Sequence, residues 1–213
     1  ALWISQIPEG WGIVRFKHLL TEPMKYGANE SAEIYDRDLP RYIRITDITE
    51  YGELREDTFK SLPRDKANEY LLSDGDILLA RSGATVGKSF LYRDEYGEAC
   101  FAGYLIKAKC DKKIVIPNYL YAFLQSHAYW EYIGGNNIQA TIQNVSAERY
   151  GNLPIPIPGP LVQRSIAAMV QQETIRIDAL IKKKTKFLEL IKEKILALVM
   201  NEQIHGNGKF DRL

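Results

Sequence analysis

Two apolar patterns alternate with polar stretches along the first part of the chain, and they predict strands of different burial. Arg41-Tyr42-Ile43-Arg44-Ile45-Thr46-Asp47-Ile48 alternates and is rich in β-branched residues, so it reads as a strand with one face covered. Gly75-Asp76-Ile77-Leu78-Leu79-Ala80 is apolar without a break after Asp76 and reads as a buried strand. Lys88-Ser89-Phe90-Leu91-Tyr92 and Phe101–Ala108 predict two more. Pro117–Ile133 has helical spacing, with Pro117 in the first turn, Leu120, Phe123, Leu124 and Trp130 as apolar positions, and Gly134-Gly135 as the stop. These elements predict an α+β domain built on a small mixed sheet.

The pattern changes at Leu153-Pro154-Ile155-Pro156-Ile157-Pro158-Gly159-Pro160. Proline at every second position removes every second backbone donor, so this segment belongs at a sheet edge or in an extended linker. Pro160 suits the first turn of a following helix, where its missing N–H costs nothing. From Leu161 to Glu202 there is neither glycine nor proline. A heptad frame places Val170, Ile177, Lys184, Ile191 and Leu198 at one core position, and Thr174, Ile181, Leu188, Ile195 and Glu202 at the other. At ~1.5 Å per residue this helix is on the order of 60 Å long. One compact domain cannot cover such a seam, so the seam predicts a partner helix; a helix lying across its own domain is the plainer alternative. The predicted organisation is a globular domain over 1–159, a long coiled-coil-forming helix over 160–205 and a tail over 206–213.

Composition adds limits. With 46% hydrophobic and 26% charged residues in 213, the chain has ordinary globular composition. Cys100 and Cys110 are too few for a disulfide framework and lack metal-ligand spacing, which predicts buried or idle thiols in a reducing compartment and no metal. Ala1–Glu9 lacks the basic flank and apolar run of a secretory signal, and the C-terminal apolar run Ile195–Met200 is far below the ~20 residues of a membrane span. A soluble, cytoplasmic protein with no membrane partner is expected. Charge speaks against nucleic acid at first sight. Net charge is +1, and residues 1–160 carry 18 Lys+Arg against 21 Asp+Glu, whereas DNA-binding domains usually show a basic footprint.

Catalytic motifs are not found. Ser82-Gly83-Ala84-Thr85-Val86-Gly87-Lys88-Ser89 resembles a phosphate-binding loop, but Gly83 and Gly87 are separated by three residues where four are needed, and a strand pattern follows instead of a helix. It reads better as a polar turn displaying Arg81, Ser82, Thr85 and Lys88. His18, His127 and His205 are far apart and outside any nucleophile motif, and Asp111-Lys112-Lys113 lacks the upstream acid of a nuclease centre. No methyl-donor or dinucleotide loop follows a strand, so no cofactor is expected. What remains is a polar display: Asn136, Asn137, Gln139, Thr141, Gln143 and Asn144, interleaved with Ile138, Ala140 and Ile142. Such amides pair with adenine edges, as Arg or Lys pair with guanine. A solvated loop is the simpler reading on chemistry alone.

Around the proline boundary the chain resembles type I restriction–modification specificity subunits. The resemblance lies in Asn152–Pro158, in Pro160-Leu161-Val162-Gln163-Arg164-Ser165-Ile166-Ala167, and in Glu173–Ile181 continuing to Leu188–Lys194. Ile7-Pro8-Glu9-Gly10-Trp11, Gly75–Leu78 and Arg81-Ser82-Gly83 are similar to the family as well. The resemblance implies a non-catalytic protein in which a target-recognition domain reads one half of a split double-stranded DNA site. It implies that a long helix serves as spacer, and that a full subunit holds two domains and two antiparallel helices. Modification (methyltransferase) subunits would dock on it and methylate adenine, and a restriction subunit would translocate and cut.

With one domain and one helix, this chain would be a half-subunit pairing with its own copy, or a piece of a longer chain. The DNA-binding candidates are Arg44, Arg81, Ser82, Thr85, Lys88, Asn136, Asn137, Gln139, Thr141, Gln143 and Asn144. The helix-pairing candidates are Val170, Ile177, Ile181, Leu188, Ile191, Ile195 and Leu198. A protein-interaction scaffold that uses the heptad helix without reading bases is the alternative, and a nuclease or methyltransferase is a more distant one.

Overall fold

The computed structural model describes residues 7–49, 52–134 and 144–206. The chain forms two compact units, Ala1–Ala167 and Ala168–Leu213.

In the first unit the strands are β1 (Gly12–Arg15), β2 (Lys25–Tyr26), β3 (Arg41–Ile43), β4 (Ile77–Ala80), β5 (Ser89–Leu91), β6 (Ala99–Phe101), β7 (Leu105–Ala108) and β8 (Pro154–Ile157). The helices are α1 (Arg64–Ala67), α2 (Pro117–Phe123), α3 (His127–Gly134), α4 (Ala147–Gly151) and the start of α5 (Pro160–Gly206). The central sheet is antiparallel, in the order β2-β7-β4-β5. A parallel pair, β3-β6, and an antiparallel pair, β1-β8, complete the strands among the described residues.

The unbroken apolar run of β4 has a direct cause: both of its faces are covered. Ile77 and Leu79 join one core with Phe16, Leu19, Leu120, Tyr129 and Tyr150, while Leu78 and Ala80 join another with Ile43, Phe90 and Phe101. Successive strand side chains point to opposite faces, so a two-sided sheet needs apolar residues at every position. The proline segment behaves as its missing donors require. Among the described residues β8 pairs with β1 alone, in the register Gly12↔Ile157 to Arg15↔Pro154.

Three predicted elements are shorter than the patterns suggested. The alternating strand ends at Ile43, because the Asp47 carboxylate accepts from the Arg44 backbone N–H at 2.8 Å and from the Arg44 guanidinium Nη2 at 2.7 Å. That pairing winds Ile45–Asp47 into a 3-10 turn and buries Asp47. Phe101–Ala108 divides into β6 and β7 at a tight turn, where the Leu105 N–H donates to the Ala102 carbonyl at 2.9 Å. The predicted helix Pro117–Ile133 divides into α2 and α3, and the Ser126 hydroxyl accepts from the Tyr129 N–H at 3.3 Å as an N-terminal cap of the second piece. Both cysteines are buried and free, and burial pushes each thiol up to about 12, so neither is a thiolate nucleophile.

In the second unit, α5 runs on without interruption to Gly206. Val170, Ile177, Ile181, Leu188, Ile191, Ile195 and Leu198 are 37–58% exposed, so the predicted seam is uncovered in the single chain. Met169, Leu180, Phe187 and Val199 are exposed as well. At ~100° per residue these eleven positions fall within roughly 120° of the helix circumference, a wider face than a strict two-per-heptad seam. Among the described residues no helix is long and apolar enough to cross a membrane.

Candidate nucleic-acid interface

One end of the central sheet gathers the polar turn. β4 leaves at Ala80, β5 re-enters at Ser89, β7 begins at Leu105 opposite Ala80, and Tyr26 of β2 lies opposite Ile106. The turn between β4 and β5 closes through the Ala80 N–H to the Lys88 carbonyl at 2.8 Å and the Gly87 N–H to the Ala80 carbonyl at 3.1 Å. Gly83–Thr85 forms a 3-10 turn inside it.

The turn stands on two buried phenols. Tyr150 of α4 donates to the Ala80 carbonyl at 2.6 Å, and Tyr129 of α3 donates to the Gly87 carbonyl. Burial raises the Tyr150 hydroxyl to about 12 and Tyr129 well above its ordinary value, so both remain protonated donors. Gly87 has φ +87°, and a Cβ there would lie 2.7 Å from Trp130 Cζ3 and 3.0 Å from Ile133 Cγ2. Gly87→Ala is therefore expected to cost about 1–3 kcal/mol in a denaturant titration and to tilt the turn. An unchanged midpoint would show that the turn is not braced by α3.

Arg81 occupies the root of the turn. Its N–H donates to the Tyr104 carbonyl at 3.1 Å, and its carbonyl accepts from the Val145 N–H at 2.7 Å. Its guanidinium carbon lies 4.7 Å from the centroid of the Tyr26 ring. Tyr26 is held in turn, its hydroxyl accepting from the Ala147 N–H at 3.2 Å. Ser82 bridges Asn144, which is exposed. Thr85 and Lys88 are half-buried on the turn, and Tyr104, whose carbonyl meets the Arg81 N–H, is 67% exposed, more than any other Phe, Tyr or Trp among the described residues.

Five of the predicted DNA-binding residues, Arg81, Ser82, Thr85, Lys88 and Asn144, thus share one surface. Asn136, Asn137, Gln139, Thr141 and Gln143 lie outside the described residues. Arg44 has a different environment: its Nε and Nη2 are engaged by the Asp47 carboxylate, and Nη2 also donates to the Thr58 carbonyl at 2.8 Å. Sequence reasoning missed Tyr26, Tyr104, Tyr129 and Tyr150. Thirteen tyrosines in the chain were the one available signal, and it does not say which of them meet the turn.

The assembled groups are binding groups: a planar cation on an aromatic ring, a lysine, two hydroxyls, an amide and an exposed phenol. Such a set matches base edges and phosphates. Among the described residues no cluster of His, Cys, Asp and Glu is arranged to hold a metal ion.

Comparison with known proteins identifies the family. The family model for the type I restriction modification DNA specificity domain matches residues 8–190. The type I restriction enzyme StySPI specificity subunit of Salmonella potsdam is 25% identical over 181 residues, covering 82% of this chain and 38% of its own length. A structure solved to describe complex assembly and conformational transition of the type I R-M system superposes with TM-score 0.67 at 18% identity, over 93% of this chain and 46% of that one. The HsdS subunit of Thermoanaerobacter tengcongensis superposes with TM-score 0.61 at 17% identity, over 92% of this chain and 48% of that one. The chain thus spans less than half the length of each of these relatives. Built around a polar turn at the sheet end and continued by a long helix, the chain belongs to the type I restriction–modification DNA specificity family.

Proposed function

We propose that this chain reads one half of a bipartite double-stranded DNA site as the specificity component of a type I restriction–modification complex in the cytoplasm. Family membership across residues 8–190 carries the reading. The β4–β5 turn supplies contacts to base edges, with Arg81, Ser82, Thr85 and Asn144 as readers and Lys88 placed for phosphate. Asn136, Asn137, Gln139, Thr141 and Gln143 are further candidates by residue type. The chain performs recognition and no chemistry of its own. Docked modification subunits methylate the site, and a restriction subunit completes the complex.

The acidic balance of residues 1–160 fits this division of labour. A domain with 18 Lys+Arg against 21 Asp+Glu holds DNA weakly by itself, and docked subunits share the neutralisation of phosphates. The same balance favours a second reading, a scaffold that pairs helices and touches no base. Retention of labelled genomic fragments by the chain with its modification subunits, against excess random competitor, separates the two. A reproducible subset of fragments supports recognition, and equal retention of all fragments supports the scaffold.

The uncovered face of α5 supplies the spacer, and a second copy of this chain is the proposed partner. Seven aliphatic heptad positions on a helix free of glycine and proline from Leu161 to His205 form a self-complementary surface. Light scattering is expected to give a dimer mass for the wild type. Changing Ile181 and Leu188 together to Asp should give a folded monomer, because two carboxylates per helix would be buried in the pair. A wild-type monomer, or a dimer that survives both changes, would rule out pairing through this face.

A further inference from the structure

We infer that Arg81 reads a guanine in the major groove through an end-on pair of hydrogen bonds from Nη1 and Nη2, with Tyr26 as the positioning residue that fixes the guanidinium plane. The inference rests on the DNA-reading function proposed above and adds to it the base and the geometry.

Four observations, taken together, single out Arg81. First, Arg37, Arg41, Arg44, Arg55 and Arg64 are each paired with a carboxylate, at 2.6–3.2 Å. Arg81 has no ion pair among the described residues, as is also true of Arg15, Arg93, Arg149 and Arg164, and the next three observations are what set it apart from these. Second, its main chain is pinned on both sides, by the Tyr104 carbonyl and the Val145 N–H, so the root of the side chain cannot wander. Third, its guanidinium carbon lies 4.7 Å from the centroid of the Tyr26 ring, and Tyr26 is fixed by its place in β2 and by the Ala147 N–H. Fourth, Nε is buried and has no hydrogen-bond partner among the described residues.

The fourth observation sets the geometry. With Nε closed off, the side-on fork of Nε and Nη2 is not offered to a ligand. The two terminal nitrogens remain, and their parallel N–H groups match the O6 and N7 acceptors of guanine, which lie side by side in the major groove. A planar donor pair held by an aromatic platform discriminates between bases because the wrong base presents a donor or a methyl group to it. A phosphate contact needs no fixed plane and is as well served by a lysine such as Lys88. A preformed plane also leaves less side-chain freedom to lose on binding.

The test uses the full chain with its modification subunits and a duplex enriched from a randomised double-stranded pool by the wild type. Arg81→Ala and Arg81→Lys should each weaken binding to that duplex by roughly 5- to 150-fold and abolish the preference for guanine at one position, leaving preferences elsewhere intact. Tyr26→Leu should lose the same preference at the same position with Arg81 untouched, whereas Tyr26→Phe, which keeps the ring, should retain it. A purely structural role for Tyr26 would lower affinity at all positions alike. Uniform weakening on every sequence with a shallower salt dependence in Arg81→Ala would assign Arg81 to a phosphate and overturn the guanine reading. Unchanged binding in Arg81→Ala would overturn it as well, and full guanine preference in Tyr26→Leu would overturn the positioning role. If the wild type enriches no sequence, the proposed function fails and this inference fails with it.

Discussion

Replacing Gly27 with alanine is expected to lower the stability of the first unit by about 3 kcal/mol or more, or roughly 6–12 °C in melting temperature for a chain of this size. The reason is a backbone crossing. A Cβ on residue 27 would lie 2.3 Å from the Phe101 carbonyl oxygen, 2.4 Å from that of Ala102 and 2.6 Å from the Ala102 carbonyl carbon. No rotamer relieves a clash with main chain, so the chain itself must part. The crossing is also a set of hydrogen bonds: the Ala28 N–H donates to the Phe101 carbonyl at 2.9 Å, and the Gly103 N–H donates to the Ala28 carbonyl at 2.7 Å. Parting it exposes buried donors and acceptors, each worth about 1–3 kcal/mol when left unpaired. Tyr26 is the adjacent residue, so a preparation that still folds should also lose the stack on Arg81 and bind DNA less selectively. A thermal melt decides the first point. A melting temperature within about 1 °C of wild type would show that the crossing is loose in solution.

Gln163→Leu is expected to cost about 2–5 kcal/mol, with no loss of apolar surface to account for it. Gln163 is 1% exposed and makes three hydrogen bonds in the first turns of α5. Its Oε1 accepts from the Ile116 N–H at 2.9 Å, and its Nε2 donates to the Ile114 carbonyl at 3.2 Å and the Pro158 carbonyl at 3.0 Å. One amide thus ties the helix start to the segment before α2 and to the proline edge. Leucine has a similar volume and leaves all three backbone partners without the amide, buried at Pro158 and part-buried at Ile114 and Ile116. Gln171→Leu is the control. That glutamine is exposed on the same helix, and its change should stay within about 0.5 kcal/mol. Equal midpoints for the two variants in urea would show that the amide clamp contributes nothing.

The parts of the fold that were legible in the sequence are those set by local pattern. The apolar run Ile77–Ala80 declares a strand covered on both faces, and the proline alternation from Pro154 to Pro158 declares an edge. The stretch from Leu161 onward declares a long helix. The parts that were not legible depend on partners distant in sequence or on a competing local hydrogen bond. Alternation continues to Ile48, but the Asp47 carboxylate captures the Arg44 backbone and ends the strand early. Ser126 carries the helical pattern of its neighbours and caps the next turn instead. At the candidate interface, the residue types on the turn were readable, because a polar turn between strands shows in the pattern. Its supports were not. Tyr26, Tyr129 and Tyr150 reach the turn from three separate elements, and nothing in their own neighbourhoods distinguishes them from the remaining tyrosines.

The central claim is that the chain reads DNA one half-site per recognition domain. Sequencing the duplexes that the chain and its modification subunits enrich from a randomised pool tests it most directly. The expected result is a bipartite motif: two short defined halves, inverted copies of one another where two identical chains pair, separated by an undefined gap of constant length. Enrichment of no motif, or of one uninterrupted motif without a gap, would contradict it.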